Sequence, residues 1–244
     1  MNTRRLVKSW YIVLLVGILG CSERNDQLQA PGVEQVIPPT FEFINKISIP
    51  QKMIQSQDSM VQRIVSHIDS LNLFELYAIY LTPPDSAEMK FVSEPGGNPE
   101  WMSNWVIDSL RIELDLLSGY FYRDQWEITV YDIAKNQNVM QISAFQTSDT
   151  RGLFNQLHVT NYPLYTSSLI WLWRVESGES LMLELSRGSG SIEFTPDVDG
   201  SSELIVWANS WVRAFRATWR SDGSGQWWTY QRNGHVDQTN VWSP

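Results

Sequence analysis

Apolar residues in the first periodic segment of the chain are spaced three or four positions apart. Residues 52–71 follow this spacing with polar residues between them, and Pro50 suits a first helical turn. The pattern predicts an amphipathic helix of about five turns. The more apolar residues 73–81 predict a second helix, which Pro83 and Pro84 end, with a strand as the alternative because of the aromatic residues in this segment.

Residues 82–104 differ from this pattern, because they contain four prolines and two glycines without a regular apolar period. They predict a long irregular loop, and loops of this length inside a compact domain are often functional. At the end of the loop, Trp101, Met102 and Trp105 are expected to pack back onto the core. From Trp105 onward the apolar period changes to two, which is typical of half-buried strands.

The period of two continues to the end of the chain in short segments. Turn pairs that favour tight hairpins separate several of them, at residues 177–178, 199–200, 222–223 and 233–234. Short connections make sequence neighbours into sheet neighbours. We therefore expect an α+β fold, mostly β, with the N-terminal amphipathic helix packed on a curled antiparallel meander of about nine to eleven strands, as a half-barrel or open barrel. The predicted strands span residues 110–116, 126–131, 140–144, 157–159, 169–175, 181–185, 192–195, 204–208, 213–219, 226–231 and 236–242.

Two of these predicted strands, residues 169–175 and 204–208, carry apolar side chains on both faces. Trp171 and Trp173 share one face of the first strand, and Trp207 lies on one face of the second. Both faces must therefore be covered. The helix is one cover, and the other is the opposite wall of a curled sheet or a ligand.

The first 21 residues have a different organisation, in which basic residues, an apolar run and a cysteine follow one another. Arg4, Arg5 and Lys8 precede the apolar residues 10–19, as in a secretory signal. As a helix this run reaches about 16 Å, roughly half of a ~30 Å hydrocarbon core. It is therefore too short to span a membrane.

Ile18-Leu19-Gly20-Cys21 resembles the lipobox of bacterial lipoproteins, in which a Cys follows one aliphatic and two small or apolar residues. The resemblance implies that residues 1–20 are a lipoprotein signal peptide and that a lipidated Cys21 begins the mature protein. Acyl chains on Cys21 would anchor the protein to a membrane of the cell envelope. A residue other than Asp after the lipidated Cys, here Ser22, resembles the default signal for sorting to the outer membrane in lipoproteins of enteric bacteria. We therefore expect an outer-membrane lipoprotein that lies on the periplasmic or the surface face. An ordinary cleaved signal and an uncleaved anchor are the alternatives.

Residues 21–39 follow as the lipidated Cys and a polar, proline-containing flexible linker, and residues 40–244 are long enough for a single domain. The expected half-barrel with a helix looks like that of periplasmic lipoprotein carriers and related lipid-binding lipoproteins. The run at residues 219–242 looks like Gly/Trp-rich hairpins in uncharacterised lipoproteins of Bacteroidota-like bacteria. Neither likeness assigns a role to a residue.

The net charge of the chain limits which macromolecules can bind it. Without residues 1–20 the chain carries 15 basic and 27 acidic residues, a net charge of −12. Nucleic acid is excluded as a partner, because affinity for its phosphates comes from clustered Lys and Arg. The same excess of acids argues against a basic patch on anionic lipid head groups.

Residues with catalytic or metal-binding chemistry are sparse. His67, His158 and His235 are far apart in sequence, and Cys21 is assigned to lipidation, so no catalytic residue, metal site or cofactor is predicted. The acids of residues 197–203 suit either Ca²⁺ or an Asp-Gly hairpin turn.

Three further acids leave a second alternative open. Glu113, Asp115 and Glu127 suit either a carboxylate pair for glycoside hydrolysis or the solvated face of two strands. An enzymatic role is therefore the less favoured interpretation.

Tryptophan is the unusual feature of the composition. Eleven of the 12 tryptophans follow Cys21. Tryptophan is favoured in binding pockets and in cores, so Trp171, Trp173 and Trp207 are predicted ligand-binding residues, with core packing as the alternative.

Three hypotheses for function follow from these patterns. The first is a non-enzymatic envelope lipoprotein that binds an apolar, lipid-like ligand or an envelope protein. The second is a surface module that binds glycans through exposed tryptophans. The third is a carboxylate-dependent hydrolase. An apolar cavity would favour the first hypothesis, and exposed aromatic rings would favour the second.

Overall fold

A computed structural model describes residues 37–92, 97–120, 123–149, 152–161, 168–176, 179–197 and 199–243. Cys21, the predicted signal, most of the predicted linker and the turn at residues 177–178 lie outside this range. Residues Pro38–Pro244 form one compact unit. Within the described residues, no helix has the length and apolar character needed to cross a membrane.

Three short α-helices and a 3₁₀ turn precede the sheet: α1 (Gln51–Ile54), α2 (Ser59–Leu71), the 3₁₀ turn (Asn72–Phe74) and α3 (Glu75–Leu81). The predicted five-turn helix is therefore interrupted at residues 55–58. Asp58 causes the interruption, because its carboxylate accepts hydrogen bonds from the backbone N–H groups of Met60 and Val61 and so begins a new helix. The Gln62 amide spans the break by donating to the Met53 and Ser56 carbonyls.

A single sheet follows, and each of its thirteen strands pairs antiparallel with the next strand in sequence. The fold is thus α+β and mostly β, as the sequence predicts, and the sheet does not close. The strands are β1 (Lys90–Phe91), β2 (Glu100–Ile107), β3 (Leu110–Tyr120), β4 (Arg123–Asp132), β5 (Gln137–Asp149), β6 (Gly152–Asn161), β7 (Ser168–Glu176), β8 (Glu179–Arg187), β9 (Gly190–Pro196), β10 (Ser202–Asn209), β11 (Val212–Trp219), β12 (Gly225–Tyr230) and β13 (Val236–Trp242).

The two strands beyond the predicted nine to eleven are β1 and β2, both in the region that predicts a loop or its end. The prediction of an irregular loop over residues 82–104 was wrong for residues 90–91 and 100–104. Trp101 and Trp105 are buried from β2 and pack on the core as expected, whereas the prediction was wrong for Met102, which is 43 % exposed. Ser103 lies between them on the same face and is also buried, and its hydroxyl is satisfied there by a hydrogen bond that it donates to the Glu88 carbonyl. Because a polar residue occupies this buried position, the alternation of apolar and polar residues along β2 is not visible in the sequence.

The helices and the segment before them cover one face of the sheet, called here the inner face. Buried side chains from this cover include Phe41 and Phe74, and the inner stripe of α2, which is fully buried, consists of Val61, Ile64, Ile68 and Leu71. The inner face supplies alternate residues of the strands, such as Ile112, Ile142 and Leu204. Burial of this apolar area at ~25 cal/mol per Å² drives the association of helix and sheet.

Candidate functional site

Trp171 and Trp173 both lie on the inner face and are 0 % exposed. The Trp171 indole N–H donates a 2.9 Å hydrogen bond to the Leu71 carbonyl at the end of α2. The Trp173 ring packs edge-on against Phe41, with ring centroids 5.5 Å apart, and close to Phe74 at 6.3 Å. The chain's own side chains thus surround both rings in the core.

Trp207 lies on the opposite, outer face of the sheet and is half-buried. It lines a groove of about 310 Å³ over the β8–β9 hairpin and the end of β10, which we call the Trp207 groove. Its lining residues are Glu184, Ser186, Gly188, Ser189, Gly190, Ser191, Glu193, Trp207 and Ser210. Of the three predicted ligand-binding tryptophans, only Trp207 lies in an open groove.

Strand register brings the polar groups of the groove together. Glu184 on β8 pairs directly with Glu193 on β9, and Ser186 pairs with Ser191. Ser191 in turn pairs with Trp207 on β10, so hydroxyls and carboxylates line the sheet beside the indole. The Ser186 hydroxyl donates to the Glu184 carboxylate at 2.8 Å, which orients that acid.

Gly190 allows the groove to form next to β10. A Cβ atom at this position would lie 2.8 Å from the Trp207 carbonyl oxygen, closer than real Cβ atoms approach backbone atoms. Glycine therefore permits the close approach of the β8–β9 turn to the end of β10.

Pairs of aromatic rings and guanidinium groups lie on the outer face next to the groove. The Arg213 guanidinium carbon lies 5.2 Å from the Trp207 ring centroid and 5.4 Å from that of Tyr230. On the next rows, Arg216 lies 4.8 Å from the Trp228 ring and pairs with Glu203. Such cation–π contacts hold the rings in fixed positions and contribute roughly 0.5–1 kcal/mol each at exposed sites.

Two donors at the Trp207 ring, one on the indole itself and one on the neighbouring Arg213, lack hydrogen-bond partners. Trp207 Nε1 and Arg213 Nε are buried, and neither has a hydrogen-bond partner within the described part of the chain. A buried donor without a partner costs about 1–3 kcal/mol. Because neither nitrogen has appreciable solvent-accessible surface, neither serves as a donor to a ligand in the groove.

The three acids Glu113, Asp115 and Glu127 are brought onto the outer face, where Asp115 pairs directly with Glu127 across β3 and β4. Burial raises the pKa of Asp115, and the nearby carboxylates of Glu113 and Glu127 raise it further. Glu113 forms a 2.9 Å ion pair with Arg111. Glu127 accepts hydrogen bonds from the side chains of Gln125 and Ser143. These contacts engage two of the three acids in surface interactions.

The acids of residues 197–203 surround the turn between β9 and β10. The Asp199 carboxylate accepts a 2.8 Å hydrogen bond from the Ser201 N–H, and hydrogen bonds from Ser201 hold the pKa of Asp199 below its usual value. Gly200 has a φ of 82°, as an Asp-Gly turn requires. Among the residues that the structure describes, no group of three or more His, Cys, Asp and Glu is placed to hold a metal ion.

The three histidines are far apart in the fold as in the sequence. His67 lies on α2, with its ring centroid 6.1 Å from that of Phe215 on the inner face. Burial and the neighbouring charge of Arg63 lower the pKa of His67 to about 4. His158 contacts the Ser168 hydroxyl on the outer face, and His235 lies in the exposed turn before β13.

Two other cavities occupy the inner edge and one end of the sheet. A hollow of about 310 Å³ has a largely apolar lining that includes Leu81, Met89, Leu116 and Trp126, and neither Trp171 nor Trp173 lines it. A larger groove of about 530 Å³ lies over the last hairpins, with Asp199, Arg220, Gln226 and Trp242 among its lining residues.

Comparison of the chain with protein-family models, with curated proteins and with solved structures gave no match. The candidate site therefore rests on its own geometry.

Glu184, Glu193 and Ser191 did not emerge as site residues from the sequence, because polar residues that alternate along a strand resemble a solvated face. The signal that points to the groove is Trp207 itself. It stands on a strand with apolar side chains on both faces, and only one of those faces receives the helices.

Proposed function

We propose that the protein is a membrane-anchored envelope lipoprotein whose outer face binds a saccharide in the Trp207 groove. The observation that carries this proposal is the combination of an indole wall with carboxylates and hydroxyls in one open groove. The flat face of an indole packs on the C–H face of a pyranose ring, while carboxylates and serine hydroxyls accept hydrogen bonds from the sugar hydroxyls.

The charge of the groove narrows the class of saccharide. Among the described residues, its lining includes Glu184 and Glu193 and no Lys or Arg. Like charges repel at close range, so a uronate or sulfated sugar is disfavoured, and a neutral or amine-bearing sugar is favoured. We therefore expect no binding of polyuronates.

The apolar-ligand hypothesis has weaker support. Its two main residues, Trp171 and Trp173, are covered by the chain's own helices and aromatic side chains. The apolar hollow at Leu116 and Trp126 has the same volume as the Trp207 groove, about 310 Å³, so the burial of Trp171 and Trp173, and not cavity size, separates the two hypotheses.

Calorimetric titration with β-1,4-linked glucose, N-acetylglucosamine, glucosamine and uronate oligomers tests the proposal. We expect a neutral or amino-sugar series to bind, and Trp207→Ala to raise its Kd at least tenfold, which is about 1.4 kcal/mol. Glu193→Gln, which removes a charge without removing a ring, should weaken the glucosamine oligomers most.

Trp228→Ala is the matched control, because Trp228 also lies on the outer face beside an arginine but is not part of the groove. Its Kd should equal that of the wild type. Absence of binding for all four series, or equal losses in the Trp207 and Trp228 variants, would refute the proposal.

A further inference from the structure

The side chain of Trp211, which lies outside the groove, is unusually exposed for a tryptophan. It is 90 % exposed, more than any other large hydrophobic side chain that the structure describes. Such exposure leaves a large apolar ring in water, which is unfavourable by ~25 cal/mol per Å². Exposed aromatic residues are enriched at binding sites for this reason.

The turn that carries Trp211 is held in place. The Asn209 carboxamide oxygen accepts 3.0 Å hydrogen bonds from the backbone N–H groups of Trp211 and Val212. Asn209 also pairs with Val212 across the β10–β11 hairpin, which leaves Ser210 and Trp211 as the two residues of the turn. The backbone beneath the ring is therefore fixed before any ligand binds, which reduces the entropy cost of binding.

The turn that carries Trp211 adjoins the Trp207 groove. Ser210, the neighbour of Trp211, lines the groove, and so does Ser189 in the β8–β9 turn. The pairing of Trp207 with Ser191 sets these two turns side by side at the same end of the sheet. Trp211 is four positions after Trp207 in the chain, so their Cα atoms are at most ~13 Å apart.

We propose that Trp211 forms a second saccharide subsite, which makes the protein selective for linear oligosaccharides over single sugars; this inference rests on the proposed function of the Trp207 groove. One sugar unit contacts Trp207 within the groove. An extended chain leaves the groove past Ser210, and a later unit stacks on the Trp211 ring. A monosaccharide in the groove does not reach Trp211.

The test compares chain lengths in the full protein. Calorimetric titrations use the β-1,4-linked oligomer series that binds, from one to six units, with the wild type, Trp211→Ala and Trp207→Ala. In the wild type, affinity should rise with length until both rings are contacted and then level off. Trp211→Ala should leave the Kd for one unit unchanged and raise the Kd for six units about tenfold. Circular dichroism checks that each variant is folded.

The outcomes separate this inference from the proposed function. If Trp207→Ala weakens binding at every length but Trp211→Ala weakens binding at none, the groove binds sugar and the second subsite is refuted. An equal loss at one unit and at six units on Trp211→Ala would also overturn the subsite, because Trp211 would then contact the first sugar. If no oligomer binds the wild type, the proposed function itself fails.

Discussion

His67 shows how a single residue of α2 responds to its position between helix and sheet. Its ring packs near Phe215, and Arg63 lies one helical turn before it, with Arg63 Nε 3.4 Å from His67 Nε2. Both neighbours disfavour the imidazolium, since one removes water and the other carries a positive charge. The pKa of His67 is therefore lowered to about 4.

This lowered pKa predicts a loss of stability in acid. The unfolded chain binds the proton near pH 6.5, whereas the folded chain binds it only near pH 4, so protonation favours unfolding. The contribution is fully present above pH 6.5 and is lost as the pH falls toward 4. After allowance for partial exposure, the loss is on the order of 1–3 kcal/mol.

Urea unfolding of the wild type and His67→Gln at pH 7 and pH 4.5 measures this loss. The free energy of unfolding of the variant should fall less between the two pH values than that of the wild type. His235→Gln is the control, because His235 is exposed in a turn, and its pH dependence should match the wild type. Identical pH dependence in the two variants would contradict the assignment to His67.

Among the helical elements, α2 and α3 differ in how much of their apolar surface is buried. The inner stripe of α2 is fully buried, whereas Leu76 and Ile79 of α3 remain largely exposed. The period of apolar residues in the sequence identifies both helices. Only packing against the sheet distinguishes the residues that stabilise the fold from those that do not.

Two isoleucines allow a matched test of this difference. Ile68→Ala in α2 should lower the free energy of unfolding by about 2–5 kcal/mol, since it leaves a cavity against the sheet. Ile79→Ala in α3 should change it by less than about 0.5 kcal/mol, because Ile79 is 51 % exposed. Chemical denaturation of both variants at pH 7 measures the two values. Equal losses would mean that the helix stripe does not carry the packing.

The whole molecule combines a sheet domain with a proposed lipid anchor at Cys21, which lies outside the described residues. Cys21→Ala should abolish acylation, so that the protein no longer partitions into the detergent phase and lacks acyl mass by mass spectrometry. Ser22→Ala keeps the thiol and should stay in the detergent phase. Unchanged partitioning of the Cys21 variant would rule out this anchor.

The sequence by itself determined the order and direction of most elements. Alternating residues such as Ile112, Leu114 and Leu116 predict their strand, and short turns between strands predict the antiparallel meander. These features are local, because a strand period and a turn depend on residues close in sequence. Asp58 was a local signal as well, and its role as a helix cap explains the break that the apolar period alone does not predict.

Tertiary structure alone decided which face of the sheet is the inner one. Trp173 and Trp207 both lie on strands with two apolar faces, so the sequence predicts ligand binding equally for both residues. Phe41 and Phe74 come from distant parts of the chain and cover Trp173. None of the described helices packs on the outer face of β10, where Trp207 lies beside a groove. The physical reason is that a side chain's exposure depends on what packs over it, and packing partners far apart in sequence leave no local pattern.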